Sequence, residues 1–349
     1  MIETYNAELS RWIRAGCPKD IDSFVLADET KIKWSSRLKE CLTRKIEAQI
    51  TDSNIRYALY RPFTHQFVYF DNIMTHRQCM FPSIFPNARS EDENIVICLT
   101  NLGSEKPFMV LPSNLIPDMH LVGAGAGTHC FPYYTYTEDG SNRRENITGW
   151  ALAQFQSCYD EQVTKRDIFH YIYALLHHPQ YRERYAENIK RELPHIPLLH
   201  SKEAFLTCVR IGKQMMDIHL HYERAKEYPL NWVENREVHV SWRVEKMRLT
   251  PNKEAVVVNE WLTLARIPQE CFNYKLGNKS ALEWVIDQYQ ISTDARSGTT
   301  SDPNMDDDPE YIVRLVGRVL TVSVETVRLV TELAQTVTQE DWMSEIEQM

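Results

Sequence analysis

Between residues 60 and 136 the sequence breaks into short β-branched and aromatic runs, FVYFD, NIVICLT, FMVL and MHLVG, cut apart by Pro, Gly, Asn and Ser. Runs of this length and composition predict strands. The texture on either side is helical. NAELSRWIRAG reads as a helix stopped by Gly16 and Pro18, and SSRLKECLTRKIEAQI carries Leu38, Leu42, Ile46 and Ile50 on one predicted stripe. Thr164 to Asp167 form an N-cap followed by an acid, and Pro179 both ends that helix and opens the next. EVHVSWRVEKMRL and EAVVVNEWLTL, joined by TPNK, predict a hairpin. SALE at 280–283 is a capping box, 292–308 is polar and loop-like, and Asp308-Pro309 predicts the start of closing helices in YIVRLVGRVL and VETVRLVTELAQ.

The expected class is therefore α+β, with a sheet-rich part embedded among helices. Four parts are expected: a helical segment at 1–56, a β-rich part at 57–145, a helical part at 146–230, and a β-hairpin with C-terminal helices and an acidic tail at 231–349. At 349 residues the chain can bury a large core. No apolar run approaches the roughly 18 residues of a membrane span. The polar N-terminus resembles no export signal, and the eight cysteines show no tight pairing pattern, so reduced thiols in a cytoplasm are expected.

The net charge of −9 argues against a free-standing nucleic-acid binder, but its distribution matters. Residues 301–349 hold three basic and eleven acidic side chains, a net of −8, which leaves residues 1–300 close to neutral. Residues 1–90, with thirteen basic against ten acidic, come out at +3.

Catalytic signatures are missing. VGAGAGT at 122–128 has glycine spacing reminiscent of a phosphate loop, but HCFP follows it where a helix should begin, so it reads as a loop between strands. His76 with Cys79, His177-His178, and His219 with His221 are isolated pairs without further ligands at zinc-like spacing, and are expected to be structural. No P-loop, HExxH, nucleophile elbow, kinase set, Asn-Pro-Pro-Tyr-like tetrapeptide or PD…(D/E)xK arrangement is present.

The ordered series ALYRPFTHQFVYFD, NITGWALAQFQSCY, DIFHYIYALLHHPQYRERYAENIKRELPHIP, YKLGNKSALEWVIDQYQI, SDPN and YIVRLVGRVLTVSVETV resembles the C-terminal specificity region of type ISP restriction–modification enzymes. The resemblance runs from about Met1 to Val337. Those enzymes join nuclease, helicase, coupling, adenine methyltransferase and target-recognition modules in one chain. The resemblance implies a target-recognition domain that reads an asymmetric site on double-stranded DNA for a neighbouring adenine-N6 methyltransferase. S-adenosylmethionine, ATP and Mg would belong to the other modules, and no cofactor or catalysis is expected of this chain alone. A separate specificity subunit, a shortened form of such an enzyme or a gene remnant would all fit.

Candidate DNA-facing residues are Arg61, His65, Gln66, His76 and Arg77 beside the predicted FVYFD strand, and Lys275, Asn278 and Lys279 ahead of the capped helix, whose N-terminus could take a phosphate. The bland alternative for each is an ordinary surface or structural hydrogen bond. Phe67 and Tyr69 are expected to pack in the sheet. Two rival functions remain: an assembly module docking through the acidic 301–349 helices, and an enzyme built on Asp160, Glu161, His170 and His177.

Overall fold

The computed structural model describes residues 1–342, so the last seven residues of the acidic tail lie outside the described residues. In chain order, α1 (Ile2–Arg14), α2 (Ile21–Phe24) and α3 (Ser36–Thr43) gather around Tyr5, Trp12, Leu38 and Leu42 as a small N-terminal core. The helix predicted to reach Ile50 stops at Thr43. Lys45 takes a left-handed backbone with φ 58°, and the chain turns back toward α1. There Tyr5 donates to the Ile46 carbonyl at 2.8 Å, and the Asn6 amide bonds both backbone groups of Ala48 at 2.7 and 3.0 Å. These bonds replace the next helical turn, and Ile46 and Ile50 are left exposed.

The β-rich part follows: β1 (Ile55–Arg61), β2 (Thr64–Tyr69), the short α4 (Ala88–Glu93), β3 (Val96–Thr100), β4 (Val110–Ser113), β5 (Ile116–Pro117), β6 (Thr128–Pro132), β7 (Tyr134–Thr135) and β8 (Arg144–Glu145). β1 pairs antiparallel with β2 and parallel with β5, while β3 lies between β4 and β6. Every residue of β3 is buried. Val96 and Cys98 face one large core, and Ile97 and Leu99 face another. MHLVG is a turn rather than a strand, because Asp118 accepts from His120 N at 2.7 Å and Gly123 N donates to the His120 carbonyl at 2.7 Å.

The helical part comprises α5 (Gly149–Cys158), α6 (Lys165–Leu175), α7 (Pro179–Arg184), α8 (Ala186–Arg191) and α9 (Lys202–Leu220). Thr164 is the expected N-cap, and with Asp167 it forms a capping box. α6 and α9 touch most closely at Gly212, where an added Cβ would stand 1.9 Å from the His170 carbonyl oxygen. Of the buried histidines here, His219 is matched at both ring nitrogens, whereas His177 Nε2 has no hydrogen-bond partner. Thr326 donates to the Val322 carbonyl at 2.7 Å, so its oxygen accepts from His219 Nε2–H at 2.8 Å, leaving His219 Nδ1 to accept from the Tyr173 hydroxyl at 2.6 Å.

β9 (Asn231–Glu234), β10 (Arg248–Leu249), β11 (Ala255–Val257) and β12 (Leu262–Ala265) form a sheet in the order β10-β11-β12-β9. The predicted hairpin survives only as β10 and β11 around the TPNK turn; EAVVVNEWLTL itself folds into two strands. The stretch 237–247 is not a strand. Its backbone is held by side-chain amides instead: Asn259 donates to the Ser241 and Arg243 carbonyls, and Asn304 bonds both backbone groups of Val244. Next come the hairpin β13 (Lys275–Leu276) and β14 (Lys279–Ser280), α10 (Ala281–Gln288) behind its capping box, and a small pair, β15 (Ser292–Thr293) with β16 (Thr300–Ser301), inside the stretch expected to be loop.

The closing helix α11 (Tyr311–Thr336) is one continuous element rather than two, and it starts three residues later than Asp308, whose carbonyl accepts from Tyr311 N. TVSVET in its middle contains no Pro or Gly, and the buried Ser323 and Thr326 hydroxyls donate to the carbonyls four residues back. The first half of α11 lies in the core with β11 and β12, and Leu329 and Leu333 lie in the core with α6 and α9. Among the described residues no helix is long and apolar enough to cross a membrane.

Two outcomes follow. Gly212→Ala forces a methyl group against fixed backbone and is expected to cost about 1–3 kcal/mol in a denaturant titration. Burial lowers the His170 pKa to about 4 and the His219 pKa to about 3, and lowers His177 as well. Unfolded, each returns to its ordinary value of 6.5, so the stability they lend is present above pH 6.5 and is lost as pH falls toward their folded values. The melting temperature should drop between pH 7 and pH 5; an unchanged value would contradict neutral burial.

Candidate nucleic-acid interface

The turn joining β1 and β2 points inward. Phe63 at its tip has φ 58° and is buried, meeting Tyr222 edge-on at 5.0 Å and Tyr274 at 6.3 Å. The ladder is irregular between Leu59 and Arg61, which lets the turn bend into the core. At the other end Arg56 Nε donates to Glu91 at 2.8 Å, and its guanidinium also reaches the Phe85 carbonyl at 3.2 Å. Burial pushes the Glu91 carboxyl up and the Arg56 hydrogen bond pulls it back, so the pair pins the hairpin to α4.

A hairpin fixed at both ends displays its middle. Residues alternate between its faces. Phe67 and Tyr57 share one face with ring centroids 5.3 Å apart, and Phe67 is 77% exposed, contrary to the packing expected of it. β2 is also an edge strand, with no partner beyond it in the sheet. The other face, with Ala58, Gln66 and Val68, borders a cavity of about 570 Å³ whose far wall includes Met119, Thr128, His129 and Cys130. The loop after β2 supplies His76, Arg77 and Met80.

Three of the predicted residues thus converge on one cleft. Gln66, His76 and Arg77 are exposed, and Arg77, in left-handed backbone with φ 58°, makes no ion pair among the described residues. Arg77 and His129 also border a neighbouring depression formed with Asn101, His120 and Gly125. The glycine loop therefore forms a wall of the same surface.

Arg61 and His65 have inward duties. The Arg61 guanidinium stacks 4.0 Å over the Tyr60 ring and pairs with Asp118 at 3.1 Å. His65 Nδ1 lies 3.2 Å from the Tyr222 hydroxyl and 3.7 Å from Glu223, beneath Tyr57. The nearby His65 and the Tyr311 hydroxyl, which donates to it at 2.6 Å, hold the Glu223 carboxyl below its ordinary range.

The second predicted patch is divided too. Lys279 pairs with Asp287 at 2.8 Å and sits over Trp284, while Lys275 and Asn278 are exposed. The first turn of α10 already holds an anion, because Glu283 accepts from Ser280 N at 2.8 Å. Gly277, with φ 67°, packs its backbone near Val122, where an added Cβ would be 3.2 Å from that side chain. The glycine loop thus touches both patches.

The rival enzyme set does not converge. Asp160 pairs with Lys202 at the surface, Glu161 is exposed, and His170 and His177 are buried among helices. Among the described residues no group of three or more His, Cys, Asp or Glu could hold a metal ion. Among the described residues several acids of the C-terminal segment are paired in-chain: Asp302 with Arg243, Asp308 with Arg314, and Glu332 with Arg210 and Arg328.

A family model described as the Type ISP C-terminal specificity domain matches residues 1–315. The chain belongs to this family. It is similar to a nuclease-deletion mutant of the Type ISP restriction–modification enzyme LlaGI, solved in complex with a DNA substrate mimic, at 33% identity and a TM-score of 0.83. It is similar to the ATP-dependent Type ISP enzyme LlaBIII bound to DNA, at 30% and 0.82, and to DrdV in a DNA complex, at 33% and 0.79. These matches cover 99%, 95% and 95% of this chain but only 30%, 21% and 33% of those chains. No curated protein matches the chain. The α+β class expected from the sequence is that of the Type ISP specificity domains.

Sequence reasoning missed Phe67, Met80, Met119 and His129. The only available signal was position, since Phe67 adjoins Gln66 on a strand not yet known to be an edge. Phe67→Ala should leave stability within about 0.5 kcal/mol of the parent, as exposed positions do, whereas Phe63→Ala should cost about 3–5 kcal/mol. Chemical denaturation of the two variants checks the contrast.

Proposed function

We propose that this chain selects the DNA site at which a Type ISP restriction–modification enzyme acts, and makes or breaks no bond itself. Membership of the specificity-domain family supports this reading, and the convergence of Gln66, His76 and Arg77 with His129 on one open cleft carries it. A free guanidinium reads guanine bidentately, and a glutamine amide reads adenine. LlaGI and LlaBIII were solved with a DNA mimic and with DNA. Adenine-N6 methylation, ATP-driven cleavage and their cofactors are assigned to companion modules in the same cytoplasm, which also supply positive surface that a chain at −9 lacks.

The test is fluorescence anisotropy across a salt series, with random and selected duplexes, on the chain alone and joined to its methyltransferase module. Specific binding with a steep salt slope is expected. Arg77→Ala should cost about 1–3 kcal/mol and relax discrimination at one position. Absence of duplex binding at every salt concentration, even with the companion module joined, would favour a purely structural role.

A further inference from the structure

Cys98 in β3 stands directly opposite Cys130 in β6. Within this ladder Asn101 N bonds the Gly127 carbonyl, and Tyr133 N bonds the Ile95 carbonyl. Hydrogen-bonded and non-hydrogen-bonded pairs alternate along antiparallel strands, so 98 with 130 falls in the second class, where opposing Cα atoms come to about 4.5 Å. That separation lies within the range a disulfide can bridge. The two Sγ atoms are 3.8 Å apart and share a hydrogen bond. No other two cysteines among the described residues do so. Cys98 is sealed in the core, whereas Cys130 is half-buried and lines the cleft.

We infer that Cys98 and Cys130 form a dithiol site that binds bidentate thiophiles such as trivalent arsenicals, and that closes to a cross-strand disulfide when a small disulfide oxidant enters the cleft. The Cys130 thiolate attacks one sulfur of the oxidant, expelling one thiolate and forming a mixed disulfide. Cys98 then loses its proton and attacks Cys130 Sγ, releasing the second half of the oxidant as a thiol. Two protein thiols and one disulfide become one protein disulfide and two small thiols, and the two protons end on the leaving thiolates. The hydrogen bond with Cys130 and burial push the Cys98 thiol up, so the second step is the slow one and quickens as pH rises. An adduct on Cys130 occupies the cavity. Its bearing on DNA rests on the reading above, and the thiol chemistry is measured without DNA so that the two fail separately.

The test treats the full native chain with oxidised glutathione, traps remaining thiols by alkylation and maps the products by mass spectrometry. In the wild type Cys98 and Cys130 should be lost together as one link, whatever glutathione the exposed Cys79 and Cys158 also take up. Cys98→Ser should stop at a glutathione adduct on Cys130, and Cys130→Ser should give neither product. In a second arm, which needs no substitution, one equivalent of phenylarsine oxide should protect both cysteines of the wild type from alkylation. Persistence of a Cys130 adduct without a link in the wild type, or alkylation of both cysteines despite the arsenical, would overturn the inference.

Discussion

The fold depends on a strand that has no outside. VICLT in β3 is covered on one face by the core that includes β11, β12 and α10, and on the other by the core of α6 and α9. A strand buried on both faces must be apolar, or partnered where it is polar as the Thr100 hydroxyl is by Met109 N at 3.2 Å, because an unpartnered polar side chain there would cost several kcal/mol. α11 then crosses from one core to the other, so the two halves of the molecule share both a wall and a strap. Burial of this kind fixes β6 beside β3, and β6 carries His129 and Cys130 to the cleft.

Against that rigid partition the cleft proposed for recognition is assembled from connections. The inward Phe63 and the Arg56–Glu91 pair clamp the ends of the first hairpin, so its exposed middle is ordered without being packed. The loop carrying His76 and Arg77 and the glycine loop close the cleft from the sides. Rigid elements hold the walls, and the residues proposed to discriminate between bases stand on loops and an edge strand, where a side chain can vary without disturbing the core. Arg61 and His65 show the other half of the arrangement: polar residues of the same stretch spent on holding it in place.

Much of this was legible in the sequence where the signal is local. The N-cap at Thr164, the capping box at Ser280 and the proline at 179 act over three or four residues, and they appear where they were read. What failed was decided by distant partners. The stripe at Ile46 and Ile50 lost to hydrogen bonds from α1, 41 and 42 positions away. Residues 237–247 have the alternation of a strand, yet their backbone is satisfied by Asn259 and Asn304. Phe67 carries the same aromatic signal as a packed residue, and it is uncovered because no distant element packs on its face of the hairpin. Arg61 and Arg77 are alike in sequence terms, and an ion pair 57 positions away separates their roles.

The central claim is that this chain decides where a companion catalyst works. The most direct measurement replaces the C-terminal specificity domain of an active Type ISP enzyme with residues 1–349 and maps methylated adenines by sequencing. If the claim holds, methylation leaves the host enzyme's site and collects at a different sequence, and Arg77→Ala blurs that sequence at one position. Methylation that stays at the host's original site would contradict it.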